Sequence, residues 1–195
     1  MKVTREQANL NRERVVETAA RLLRERGFDG VGVADLMKSA GLTHGGFYGQ
    51  FDSKEHLIVE ACEKALEESE HRWRELRDHP PKKPLSAIAS YYLSVEHRDN
   101  PGAGCVIAAL SMEAARQGPN VRAVFTEAAK RFLEFLGRVV PGRSPKTKRR
   151  EALASLAAMV GAVVLARTIS DASLSEEILD AVHAKLTALD NAQPT

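Results

Sequence analysis

The chain has 195 residues, with 28 Lys and Arg against 26 Asp and Glu and a formal net charge of +2. That length holds one large or two small domains with a proper core, and 44% apolar and 28% charged residues fit an ordinary globular protein. The near balance of charge excludes a polycation, so any affinity for nucleic acid must come from where charges sit and not from their sum.

Residues 1–9 are polar and expected to fray, with Arg5 either solvated or within reach of a phosphate or groove. They carry charge and no apolar stretch, so no secretory leader is expected. The spacing of Leu10, Val15, Val16, Ala19, Leu22 and Leu23 predicts a first helix over Leu10–Arg26, ended by Gly27. Gly30 and Gly32 loosen the approach to a second helix, whose Leu36 and Ala40 share a face. Gly41 is free to take positive φ at its end, Leu42 anchors the turn, and Thr43 is the expected N-cap of a third helix. On that helix Phe47 and Phe51 face inward, which leaves Thr43, His44, Gly45, Tyr48 and Gln50 for other faces. This is the layout of a helix-turn-helix with its last helix as DNA reader, although such helix pairs also serve as plain structure. Gly45, Gly46 and Gly49 each cost about 1 kcal/mol relative to alanine inside a helix. Either the surrounding core tolerates them, or Gly45 and Gly46 let the backbone press against bases or phosphates.

Ser53 caps a fourth helix, predicted over Lys54–His79, with Ile58, Cys62, Ala65, Ser69, Trp73 and Leu76 as its apolar stripe. Lys54 in the first turn opposes the helix dipole, which a nearby phosphate would offset. Cys62 on the stripe is expected to be a buried, inert thiol. Pro80-Pro81-Lys82-Lys83-Pro84 breaks the chain before a fifth helix over residues 85–97. A sixth follows over Cys105–Arg116 and a seventh over Val121–Val140. Phe125, Phe132 and Phe135 on the seventh either wall an apolar pocket or fill the core. Cys105 follows a glycine-rich loop at a helix N-terminus, a position that lowers thiol pKa. It is therefore a candidate redox or electrophile sensor, beside the plainer reading of a small buried residue. With Cys62 it forms no close-spaced pair, which excludes a disulfide scaffold, argues against structural zinc and fits a reducing cytoplasm.

Lys146, Lys148, Arg149 and Arg150 open an eighth helix over Thr147–Ile169 and are expected to be solvated. Its charge-free stretch Ala152–Ala166 is short and alanine-rich for a bilayer span. Apolar on nearly every side, it is expected to be buried on several faces. A ninth helix starting at Ser173 or Ser175 carries Ile178, Val182, Leu186 and Leu189, and residues 190–195 are expected to fray. The last two helices form either half of a four-helix bundle between two subunits or a pair buried within one. No strand pattern, phosphate loop, metal-ligand spacing or catalytic constellation stands out, so neither an enzyme nor a bound metal or cofactor is expected.

Residues 10–60 resemble the N-terminal domain of the tetracycline-repressor (TetR) family of transcriptional regulators. The resemblance rests on Val15–Gly27 with Phe28 after it, on Leu36…Ala40-Gly41-Leu42-Thr43, and on Phe47-Tyr48…Phe51-Asp52-Ser53-Lys54-Glu55-His56-Leu57. It implies an all-α protein of about nine helices. Residues 1–53 would be a three-helix helix-turn-helix DNA-binding domain and residues 54–195 a helical ligand-binding and dimerisation domain, with 54–79 as connecting helix. It further implies a cytoplasmic homodimer joined through its last two helices, away from any membrane. That dimer would bind a double-stranded, inverted-repeat operator as a repressor and leave it when a small-molecule effector binds. Phosphate contacts would come from Thr43, Tyr48 and Lys54, with Gly32 and His44 beside them. Base or close backbone contacts would come from the Gly45–Gly46 edge, His44 and Gln50. Gly49 and Gln50 depart from the family's commoner basic residue and histidine, which leaves fewer long side chains to read bases. Two alternatives stand beside this reading: a thiol-based sensor on the same scaffold through Cys105, and a helical protein-interaction module with a degenerate reader.

Overall fold

The computed structural model describes residues 4–191, so the fraying expected of residues 1–3 and 192–195 lies outside it. The described residues are all-helical: α1 (Arg5–Arg26), α2 (Val33–Ser39), α3 (Lys54–Asp78), α4 (Pro84–Tyr92), α5 (Val95–Asp99), α6 (Val106–Ala114), α7 (Pro119–Val139), α8 (Pro145–Thr168) and α9 (Ala172–Asn191). Short 3-10 turns cover His44–Gly46 and Pro101–Ala103. Of the described residues, 4–69 with 101–125 form one compact unit, and 70–100 with 126–191 form the other.

In the first unit α1 begins five residues before the expected Leu10. The Thr4 hydroxyl accepts from the Gln7 N–H at 3.2 Å and Glu6 suits the dipole of the first turn, so the segment is capped where fraying is expected. Leu10 is 50% exposed, outside the stripe assigned to it. The stripe proper, Val15 to Leu23, is buried with Leu36 and Met37 of α2, Phe47, Phe51, and Leu57 and Ala61 of α3. Cys62 lies in the same interior. Helix α6 packs on α1. Between them the buried Arg24 donates to the Gly104 carbonyl at 3.3 Å and pairs with Glu68 at 2.8 Å, which gives both terminal nitrogens of a buried guanidinium a partner.

In the second unit the single helix expected over residues 85–97 is divided. Helix α4 stops at Tyr92, and Ser94 caps α5 by accepting from the His97 N–H at 3.1 Å. Arg167 then caps the far end of α5, donating to the carbonyls of His97 (2.7 Å) and Arg98 (2.9 Å). The first turn of α4 is held from α9, where Asp190 accepts from both the N–H and the hydroxyl of Ser86 at 2.7 Å. Trp73 stacks on Phe132 with centroids 5.4 Å apart and lies 5.3 Å from Phe135, an aromatic cluster in which Phe132 is buried and Phe135 half-buried. Helix α9 starts at Ala172, ahead of both serines proposed for that role, because Asp171 accepts from the Leu174 N–H at 3.1 Å. Ser175 is buried instead, donating to the Ala166 carbonyl at 2.7 Å.

Within a single chain α8 is buried on one face and not on several. Ala152, Ser155, Met159, Ala162, Val163 and Ala166 bury one face, while Leu153 and Leu165 are 46% and 53% exposed. Among the described residues α8 alone is long and apolar enough to cross a membrane, by length and composition. The basic residues at its start are solvated except Lys148, and Arg143, Lys148 and Arg149 edge an open groove of about 490 Å³.

Candidate nucleic-acid interface

The turn after α2 is built as its sequence dictates. Gly41 takes φ 73°, its N–H bonds the Lys38 carbonyl at 3.0 Å, and the Leu42 N–H reaches back to the Met37 carbonyl at 2.9 Å. These two bonds are the Schellman closure of a helix end, which only a residue tolerant of positive φ allows cheaply. The chain then runs extended through Thr43 at φ −83°, ψ 146°.

The third helix is not a regular α-helix. His44–Gly46 form one 3-10 turn, with the Gly46 N–H on the Thr43 carbonyl and the Phe47 N–H on that of His44. A second turn follows, in which Gln50 and Phe51 both donate to the Phe47 carbonyl at 2.9 Å. Three glycines within five residues remove the propensity to hold a continuous helix, and the buried Phe47 and Phe51, stacked at 5.4 Å, hold the segment in its place. Thr43 makes no side-chain cap bond, because a 3-10 turn presents its first amides differently from the expected α-helical start.

This segment offers solvent bare backbone at its glycines beside the side chains of Thr43, His44 and Tyr48. Thr43, His44, Gly45, Tyr48 and Gly49 are exposed. A methyl group added at Gly45 would meet nothing within 4 Å, and one at Gly46 only ordinary contacts from 3.6 Å. Neither residue has positive φ. Neither packing nor backbone conformation therefore requires glycine at these positions. Tyr48 stands beside this bare surface with 69% of its area exposed. Its ring is braced edge-on by Phe47 at 5.1 Å and faces His44 at 6.3 Å, which leaves its hydroxyl at the rim.

The remaining candidate residues are placed less simply. Gly32 is the exposed N-cap of α2 at φ −78°, ψ 156° and contributes no side-chain bond. Gln50 is half-buried and its side-chain oxygen is enclosed, so the expected base contact is not presented outward. Lys54 opens α3 beside the cap formed by Ser53, whose hydroxyl accepts from the His56 N–H at 3.0 Å. The Lys54 ammonium donates to the Phe28 carbonyl at 2.6 Å, which answers its unfavourable place in the helix dipole within the fold itself. Cys105 is buried as the N-cap residue of α6, away from this surface in sequence.

Sequence reasoning missed the brace behind the reader. Arg12 of α1 donates to Glu60 of α3 through both terminal nitrogens, one at 2.6 Å, and to the Gln50 carbonyl at 3.4 Å. His56 also bonds Glu60 at 2.8 Å. No local pattern marks Arg12, because its partners lie 38 and 48 residues away.

A sequence model of the family described as "Bacterial regulatory proteins, tetR family" matches residues 15–61. The chain is 30% identical over 190 residues to Rv0196 of Mycobacterium tuberculosis, an uncharacterized HTH-type transcriptional regulator, covering 91% of this chain and 93% of that one. It is 27% identical over 132 residues to the HTH-type transcriptional repressor NemR of Escherichia coli, covering 66% of each chain. The chain spans about a third, 32%, of the Bacillus subtilis regulator YerO that it also matches. Among solved structures, a TetR transcriptional regulator from Chloroflexus aurantiacus superposes with a TM-score of 0.80 at 25% identity, over 96% of this chain and 98% of that one. NemR in its reduced form superposes with a TM-score of 0.78 at 23% identity, over 92% and 96%.

Proposed function

The chain belongs to the TetR family of HTH-type transcriptional regulators, and from that premise we propose that it is a cytoplasmic, ligand-responsive repressor acting as a homodimer. The observation that carries the DNA-binding part is the surface of residues 43–49. It is exposed, bare of side chains at Gly45 and Gly46 without structural need, and rimmed by the braced Tyr48. Such a surface suits close approach of backbone to a groove or a phosphate chain.

In this reading residues 1–53 bind DNA and residues 54–195 regulate and dimerise. Thr43, the Tyr48 hydroxyl and Lys54 contact phosphates, with Gly32 and His44 beside them. The Gly45–Gly46 backbone edge and His44 lie against bases, and Gln50 joins them once its amide turns outward. Helices α8 and α9 form the dimer, supported by the exposed Leu153, Leu165 and Leu174 on a pair of helices that each bury one face within the chain. Two readers related by a two-fold axis then require an inverted repeat, with half-sites one DNA turn (about 34 Å) or a multiple of it apart. The effector, a small molecule of the second domain, favours the dimer whose readers are mis-spaced. It lowers operator affinity only by its differential affinity for the two states.

A second reading rests on Cys105, the N-cap residue of α6, next to the Gly104 carbonyl that the buried Arg24 holds. Oxidation or alkylation there would add bulk at a packed helix start and release DNA without a ligand pocket.

Fluorescence anisotropy on the DNA flanking the gene, with unrelated DNA as control and salt varied, tests both readings. Sequence-preferring, salt-dependent binding of two subunits per site is expected. Binding no better than control on any selected sequence would leave a helical protein-interaction module with a degenerate reader. Release by an electrophile that persists in Cys105→Ser sinks the thiol reading.

A further inference from the structure

Phe28 stands where three helices of the first compact unit meet. Its ring is buried. Its N–H donates to Glu113, in the last turn of α6, at 2.6 Å, and its carbonyl accepts from Lys54, the first residue of α3, at 2.6 Å. The backbone of one residue is thus held at its N–H by an anion and at its carbonyl by a cation. Gly27 just before it has φ 78°, and a side chain there would place its Cβ 2.5 Å from the Glu113 carboxylate. The carboxylate therefore occupies the space that glycine leaves.

The other end of α6 is held on α1 as well. The Gly104 carbonyl accepts from Arg24 at 3.3 Å, and a Cβ at Gly102 would lie 2.5 Å from the Glu25 carboxylate. Both ends of α6 are therefore seated on the last turns of α1.

We propose that Glu113 is a positioning residue for DNA binding: through the backbone of Phe28 it sets where the Lys54 ammonium stands, and so ties operator affinity to the seating of α6 on α1. The proposal rests on the reading of Lys54 as a phosphate contact. An ammonium has three donors, and the Phe28 carbonyl takes one, leaving two for a phosphate. A lysine head held in place before DNA arrives loses less side-chain freedom on binding. Without the Glu113 carboxylate, the Phe28 N–H has no acceptor and adjoins the most freely rotating residue type, Gly27. The carbonyl that aims Lys54 then turns with it.

The test uses the full chain and an operator selected from random DNA, with affinity read by fluorescence anisotropy on that operator and on unrelated DNA. Glu113→Ala is expected to weaken operator binding about tenfold, and Glu113→Gln less, because its amide oxygen still accepts from the Phe28 N–H. In a Lys54→Met background both losses are expected to vanish, since the route runs through that ammonium. Amide exchange at Phe28 is expected to quicken in Glu113→Ala. Additive losses in the double variants, an unchanged operator affinity, or unchanged exchange at Phe28 would each overturn the proposal. Should Glu113→Ala fail to fold, the isosteric Glu113→Gln carries the same cycle against Lys54→Met. A wild-type protein that prefers no DNA sequence sinks the DNA-binding reading first and this proposal with it. That result is told apart from the others because it appears before any variant is compared.

Discussion

The Arg12 guanidinium lies 4.7 Å from the centre of the Phe51 ring while its terminal nitrogens bond Glu60. One side chain of α1 thereby covers the last aromatic of the reader and ties it to α3. The Arg12 side chain is 36% exposed and that of Glu60 19%, so solvent screens much of the ion pair. Arg12→Ala is expected to cost about 1 kcal/mol of stability, the sum of a weak ion pair and an exposed cation–π contact. Arg12→Lys should recover only part, because lysine cannot reproduce the bidentate fork. Urea unfolding of the three proteins measures this, and equal midpoints would show that the brace carries no stability.

Two glycines of the same motif are expected to behave oppositely. Gly41→Ala forces a side chain into φ 73° and should destabilise by about 1 kcal/mol, with DNA binding changed only as folding is. Gly45→Ala meets open space and no unusual backbone angle, so it should leave the unfolding midpoint unchanged or slightly raised. Its operator affinity should nevertheless fall about tenfold if the backbone lies against DNA. Anisotropy titration of Gly45→Ala at wild-type affinity would remove the close-approach role.

Cys62 is buried, and that burial pushes its thiol up from 9.0 to about 12, with the nearby Arg24 cation opposing the shift. The neutral thiol is favoured in the folded chain, so its contribution is fully present below pH 9 and is lost as pH rises through about 12. Cys62→Ala should flatten the alkaline fall of stability across that window. It also follows that Cys62 resists thiol reagents at neutral pH until the protein unfolds. Labelling of the native Cys105→Ser variant checks this, and rapid modification there would contradict the buried placement.

The exposed side of α8 yields a prediction about assembly. Leu165→Glu places a charge where the apolar face is open in a single chain, so it should leave helicity intact. If α8 and α9 meet their copies in a dimer, the same change buries two unpaired carboxylates and shifts the protein to monomer. Sedimentation of wild type and variant reads the outcome, and an unaltered dimer would locate the subunit contact elsewhere.

Several features were legible in the sequence because the forces behind them act within a few residues. Gly41 takes the positive φ that closes α2, and Phe47 and Phe51 are phased inward four residues apart. Ser53 caps α3, and the stretch from Pro80 to Lys83 marks the break before α4, which Pro84 opens. Where local signals competed, the sequence was ambiguous. The glycines of residues 45–49 cost helix propensity, and the 3-10 turn that resulted was decided by the core holding Phe47 and Phe51, not by any cap at Thr43. Residues 85–97 read as one helix, whereas the chain breaks after Tyr92 where Ser94 caps α5, and Arg167, far along the chain, closes the far end of α5.

The sequence by itself determined the all-α class, the turn, and the family motif from Val15 to Leu57. Only the tertiary structure decided where Lys54 points, that Gln50 turns inward, that Arg12 braces the reader and that Glu113 holds Phe28. The turn and the helix ends depend on backbone angles and hydrogen bonds between neighbours, which a residue's own chemistry already specifies. The pairings depend on which charges and backbone groups burial brings together. The separations are 26 residues for Lys54 and Phe28 and 85 for Phe28 and Glu113, and no local periodicity records them.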